Sequence, residues 1–200
     1  WDRWITLSRE VGDVLATGVL EAEPGEVALS DSTSVNLYKL AVAACAARPG
    51  RRVIVTDDDN FPSDRYIFQG LAEELRVVKT DIDLGVSVES VREALDEDVA
   101  LVSLSHVAYR SGALADMAAV TAAAHEVGAL VLWDLSHSAG AVRVPLRSAG
   151  VDLAVGCTYK HLNAGPGAPA FLYVRGDLQP DLRQPIWGWF GQRDQFDMGA

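Results

Sequence analysis

Apolar residues fall at helical spacing over the first twenty positions, at Trp4, Leu7, Val11, Val14, Leu15 and Val19, and predict a helix over 1–20. Pro24 and Gly25 interrupt that pattern with a turn. From there, short apolar runs alternate with amphipathic or alanine-rich stretches. The runs predict strands at 27–29, 52–56, 75–79, 99–104, 129–133, 152–157 and 168–174. The stretches between them predict helices at 35–47, from Pro62 onward, at 87–95 and at 115–127. Local signals agree. Asp31, Ser32, Thr33 and Ser34 form a capping cluster, Arg48, Pro49 and Gly50 stop a helix, and Pro62 suits a first helical turn.

The strands read as unbroken Val, Ile and Leu runs rather than in-out alternations, so both their faces are buried. The expected fold is therefore α/β and three-layered, a mostly parallel sheet with helices on both faces. In such sheets ligands bind beyond the carboxyl ends of the strands. The loops after the strands are where chemistry is to be sought.

Composition narrows the function classes. Two hundred residues suit one domain, or one domain with a fragment of another, and 49% hydrophobic content supplies a sizeable core. A net charge of −11 and the lack of a basic tract disfavour nucleic-acid and anionic-membrane partners. No apolar run is long enough to span a membrane, and no signal peptide opens the sequence. Cys45 and Cys157 lie in apolar segments and read as small buried hydrophobes, not a disulfide framework. A reducing, cytoplasmic setting is expected. The chain opens on Trp1, so it is expected to be a piece of a longer one.

Four strand-end loops carry polar groups. "SDSTSVN" offers hydroxyls and free amides at a helix start, which suits a phosphate but also a plain N-cap. In "TDDDNFPSD", Asp57, Asp58 and Asp59 read better as a solvated loop than as a cation site, and Phe61 either covers a flat ligand or packs in the core. In "DLSHSAG", Asp134 ends a strand and needs a cationic or N–H partner, or caps a local turn; His137 has no further ligands nearby for zinc. Lys160 follows the run "DLAVGC". It either reaches solvent or acts as an amine nucleophile toward an aldehyde. Singly these are weak signals. Jointly they match pyridoxal 5'-phosphate, which needs a phosphate cradle, an aromatic cover, an acid at its ring nitrogen and a lysine at its aldehyde. No G-x-G-x-x-G follows the first strand, which excludes a dinucleotide fingerprint.

The motifs "DSTSVNLYK", "FPSDRY", "WDLSHSAGAV", "TYKHLNAGPG" and "GWFG" resemble those of the kynureninase family, over nearly the whole chain. The resemblance implies a pyridoxal-phosphate enzyme of the aspartate-aminotransferase fold, the chain being its cofactor-binding large domain over 1–200 and a small C-terminal domain lying outside it. It implies hydrolysis of kynurenine or 3-hydroxykynurenine to alanine and an anthranilate, a step of tryptophan breakdown. A cysteine desulfurase or class-V aminotransferase is the first alternative, and a cofactor-binding protein without turnover the second. By the same resemblance Lys160 takes the cofactor's aldehyde and Tyr159 contacts the phosphate and donates a proton. Thr33 and Ser34 bind the phosphate, Phe61 stacks on the ring, and Asp134 pairs with its nitrogen. Asp64 and His137 complete the hydrogen-bonded surroundings. Trp189 reaches a phosphate, in a homodimer that shares active sites. Gln192 stands where the family commonly has histidine.

Overall fold

The computed structural model describes residues 2–189, 194, 196 and 197. Helix α1, Asp2–Gly18, leads into β1, Val27–Leu29, and helix α2, Thr33–Ala46. Strand β2, Val53–Asp57, is followed by α3, Pro62–Leu71, and β3, Glu74–Val78. Helix α4, Val88–Glu93, precedes β4, Val99–Ser105, and α5, Met117–Glu126, precedes β5, Leu130–Asp134. Strands β6, Leu153–Gly156, and β7, Phe171–Val174, complete the order. The predicted elements are all present, with ends moved by a residue or two except at β7, where Gly165 to Ala170 stays loop and the strand starts at Phe171.

The seven strands form one sheet in the order β1-β7-β6-β5-β4-β2-β3. Strand β7 runs antiparallel to both neighbours, and the remaining pairs are parallel. Strand side chains alternate between two cores. Val53, Val55, Val131, Trp133 and Tyr173 face α1, α4 and α5, through Ala16, Val91 and Val120. Ile54, Leu130, Leu132 and Val155 face α2 and α3, through Leu37, Leu40 and Phe68. Central strands β2, β4 and β5 are buried on both faces, which is why their sequences lack alternation.

Helix α1 forms as expected. Leu15 and Val19 of its apolar stripe pack on the core beside Ala16, whereas Trp4, Val11 and Val14 are exposed. Its closest approach to β1 is at Gly12. A Cβ on Gly12 would sit 2.1 Å from the Val27 carbonyl oxygen, so the absent side chain is what lets helix and strand approach. Cys157 is buried as expected, whereas Cys45 is only half-buried; both are free thiols. No described helix is long and apolar enough to cross a membrane.

Candidate active site

The carboxyl ends of β1, β2, β5 and β6 open onto a pocket of about 400 Å³. Thr33, Ser34, Phe61, Asp64, Asp134, His137, Tyr159 and Lys160 all line it. Residues 100 positions apart meet there because successive parallel strands deliver their following loops to the same edge of the sheet.

The start of helix α2 forms one end of the pocket. Ser32 is its N-cap, and its Oγ accepts from Val35 N at 3.3 Å. Thr33 and Ser34 occupy the first two helical positions, whose amides have no partner within the helix. Helix dipole, amides and hydroxyls therefore face the pocket together. Of the two readings of "SDSTSVN", the cap is observed at Ser32, and it leaves Thr33 and Ser34 lining the pocket, which is compatible with an anion there.

Phe61 precedes α3, with its backbone N–H donating to Asn60 Oδ1 at 2.8 Å. Its ring is 40% exposed, which removes the core-packing alternative. One face lies toward Lys160, whose Nζ is 5.7 Å from the ring centroid. The neighbouring acidic loop is not the solvated turn expected from sequence. Asp57 and Asp59 are buried, the first accepting from Asp59 N at 2.8 Å and the second paired with Arg110. Burial pushes Asp57 up to about 6. Asp58 alone faces outward, bonded to Lys79 and Thr80. Among the described residues no group of three or more His, Cys, Asp or Glu is placed to hold a metal ion.

Asp134 closes β5 and is buried; its Oδ1 accepts from Ser136 N at 2.8 Å, so it does cap a local turn. It also faces a second carboxyl. Asp64, in the first turn of α3, is equally buried, and its Oδ2 has no hydrogen-bond partner. Burial first, and the Asp134 charge second, push Asp64 up to about 8. Two carboxyls pressed together in a dry site hold a proton between them or await a cation.

Lys160 lies in the loop after β6, with Nζ 2.9 Å from His137 Nε2 and 5.8 Å from the Tyr159 ring centroid. Burial, and then the Lys160 charge, hold His137 below the usual histidine range, against the pull of Asp134. The neutral imidazole can accept a hydrogen bond from the amine. Burial, and then Cys157, raise the Tyr159 hydroxyl. His161 stands behind this pair, its ring 6.2 Å from that of His137.

Trp189 does not line the pocket. Its ring meets Phe196 edge-on at 6.0 Å. Gln192, and the Phe190 and Gly191 of "GWFG", lie outside the described residues. Sequence reasoning passed over Ser63, Ser136 and Cys157, which also line the pocket. It also passed over Tyr109 and Arg110, in the loop after β4. The rule that directed attention to the other strand ends applies to that loop equally.

Comparison with known proteins agrees with this arrangement. The family model "Aminotransferase class-V" matches residues 28–191. The chain is 49% identical over 199 residues to a kynureninase of Pseudomonas fluorescens, covering 98% of this chain and 47% of that protein. It is 46% identical over 205 residues to a kynureninase of Burkholderia pseudomallei, with the same coverages. The chain thus spans about half the length of these relatives. Among solved structures, a NifS-like protein superposes with TM-score 0.78 at 20% identity, over 94% of this chain and 52% of that one. An alanine–glyoxylate aminotransferase of Nostoc sp. superposes with TM-score 0.74 at 22% identity, over 96% and 52%. These last likenesses concern the fold. With the family model covering most of the sequence, the chain belongs to the class-V aminotransferase family.

Proposed function

We propose that this chain is the cofactor-binding large domain of a kynureninase, which hydrolyses kynurenine or 3-hydroxykynurenine to alanine and an anthranilate with pyridoxal 5'-phosphate. The observation that carries the reading is the carboxyl pair Asp64–Asp134 facing the same pocket as Lys160. Asp64 Oδ2 is buried and unpartnered, which a protonated ring nitrogen between the two acids would remedy. The identity to kynureninases supports the substrate assignment.

The residues fit the cofactor group by group. Thr33 and Ser34, with the start of α2, would take the phosphate, and Tyr159 would contact it. Phe61 would cover one ring face, Asp134 would hold the ring nitrogen as a cation, and Lys160 would engage the aldehyde. When bound, the cofactor supplies an electron sink for charge developing at Cα and Cβ of the amino acid. The Lys160 amine would remove the α-proton, and His137, 2.9 Å from it, would pass that proton on. Asp134 would keep the ring nitrogen protonated. Tyr159, a hydroxyl held protonated by its surroundings, is the candidate donor to the departing three-carbon fragment after water has added to the γ-carbonyl. The rest of the chain, in a small C-terminal domain, would bind the substrate carboxylate, and a homodimer would bring Trp189 to the partner's phosphate.

Full-length protein supplied with pyridoxal phosphate is expected to convert kynurenine to alanine and fluorescent anthranilate. Loaded protein that releases sulfide from cysteine and leaves kynurenine intact would replace this reading with a desulfurase. Cys157 gives that alternative little support, because it is buried and directs its thiol to Ser136 O at 3.7 Å.

A further inference from the structure

The loop after β4 lies outside the pocket lining, yet it touches the pocket's aromatic wall. Its backbone folds back on itself. Val107 bridges Leu114, Ala108 N donates to Ala113 O, Gly112 N donates to Ala108 O, and Ala115 N donates to His106 O. Gly112 takes φ +75°, a conformation costly to any side-chain-bearing residue, so the tight tip is encoded locally. That tip carries Tyr109 and Arg110.

Three contacts link the tip to Phe61. Arg110 Nε donates to Asp59 Oδ1, in the loop after β2. The Arg110 guanidinium lies over the Tyr109 ring, 5.9 Å from its centroid. Tyr109 in turn meets Phe61 edge-on, with centroids 5.2 Å apart and planes at 83°. Each link has a physical reason. The Asp59 side chain is only 3% exposed, and a buried carboxylate demands a cation. Tyr109 is 37% exposed, so core packing does not fix its ring; the Arg110 cation, 5.9 Å from the ring centroid, restrains it. Phe61 is as exposed as Tyr109, and its bond to Asn60 anchors its backbone but leaves its ring free to turn. An edge-on aromatic neighbour restricts that turning.

We propose that Arg110, acting through Tyr109, is a positioning residue that fixes the Phe61 ring over the cofactor. Asp59 is the buried anchor that pins Arg110. The inference deepens the cofactor site assigned above and rests on it.

The test titrates cofactor-free, full-length protein with pyridoxal phosphate and reads visible absorption and induced circular dichroism. Arg110→Met keeps the aliphatic stem and removes the planar cation. It is expected to weaken cofactor binding about five- to tenfold and to shrink the induced dichroism of the bound cofactor. Arg110→Lys is expected to recover most of the affinity, because the ion pair to Asp59 returns, and less of the dichroism, because the flat stack does not. Tyr109→Leu breaks the ring contact without touching the ion pair. It is expected to reproduce the dichroism loss, and it carries the test alone if Arg110→Met does not fold. A merely structural role would lower the melting temperature of the cofactor-free variants while the dichroism per bound cofactor stayed at the parent value. That result, or parental affinity in both variants, overturns the inference alone. A parent protein that develops no visible band with pyridoxal phosphate overturns the site assignment, and this inference with it.

Discussion

The two ends of the sheet treat a buried aspartate in opposite ways. At the amino ends of the strands, Asp152 is set among an amide and two basic side chains. Its Oδ2 accepts from Val131 N and meets His125 Nε2, both at 2.8 Å, and its Oδ1 lies 2.8 Å from Arg175 Nη1. Arginines close the rest of that end, with Arg51 donating to Val99 O and Val127 O, and Arg48 to Gly128 O. At the carboxyl ends, Asp64 faces Asp134, a like charge; each of the two aspartates, Asp64 and Asp152, keeps one oxygen without a hydrogen bond. Burial is the same in both places. The charge opposite is what differs: Asp152 meets Arg175 and His125, which hold the molecule together, whereas Asp64 meets another acid, an arrangement that favours a cationic ligand.

The largest expected effect separates the two ends by activity. Replacing Lys160 with alanine removes a half-exposed amine from the pocket and leaves the cores untouched. Turnover of the loaded full-length protein is expected to fall by about 1,000-fold or more, with the visible band near roughly 420 nm lost. Thermal unfolding of the cofactor-free variant should stay within about 1 kcal/mol of the parent. A large loss of stability would show that the pocket end also braces the fold.

Asp152→Ala should give the reverse. It strips the partner from Val131 N and leaves Arg175 facing a cavity, so denaturant unfolding is expected to lose about 3 kcal/mol. Asp152→Asn keeps an acceptor and is expected to lose about half as much. Neither should shift the visible spectrum of protein loaded at low temperature.

The sequence made the ends unequally readable. Pocket residues stand in strand-end loops, and Asp134, His137, Tyr159 and Lys160 share two short motifs, so the position rule and the family likeness both point at them. Asp152, by contrast, looks like any polar residue opening a strand, and its partners His125, Val131 and Arg175 are distant in sequence and belong to no motif. The acidic run after β2 was misjudged for a related reason. Three consecutive aspartates suggest solvent unless the cation is known, and that cation, Arg110, lies 51 positions away. Helix α1 shows the limit of periodicity. Its apolar stripe specified a helix and Leu15 and Val19 of it pack on the core, but the close approach to β1 is set by a residue with no side chain, Gly12.

The carboxyl pair makes a pH signature at one end only. Asp64 holds its proton up to about 8 in the folded chain, against an ordinary value near 3.8, so the folded state binds that proton more tightly. The stability linked to it is complete below about pH 4 and is lost as pH rises through 8. Asp57, at about 6, acts in the same sense over the lower part of that range, while His106, held near 4 by burial, acts oppositely below pH 6.5. Between pH 6.5 and 8 Asp64 remains, and cofactor-free protein should lose up to about 1.4 kcal/mol per pH unit there. Asp64→Asn is expected to flatten that interval. A variant with the parent's slope would place the proton elsewhere.

The smallest effect sharpens what the carboxyl end owes to its ligand rather than to its fold. Ser32 and Ser87 are both N-caps, each with Oγ accepting from the amide three residues on, at 3.3 and 3.0 Å. Changing either to alanine leaves one helical amide unpartnered and should lower stability by about 1 kcal/mol. Only Ser32 borders the pocket, where its cap sets the direction of the Thr33 and Ser34 amides. Loosening that turn is expected to weaken pyridoxal phosphate a few-fold in Ser32→Ala, and free inorganic phosphate as a competitor by a similar factor, with no change in Ser87→Ala. If the two variants lose stability alike and bind the cofactor alike, the start of α2 is a plain cap and the phosphate is held elsewhere. A difference confined to Ser32 would mean that the same turn ends a helix and receives an anion, because the amides that a helix cannot satisfy within itself are the ones an anion can use.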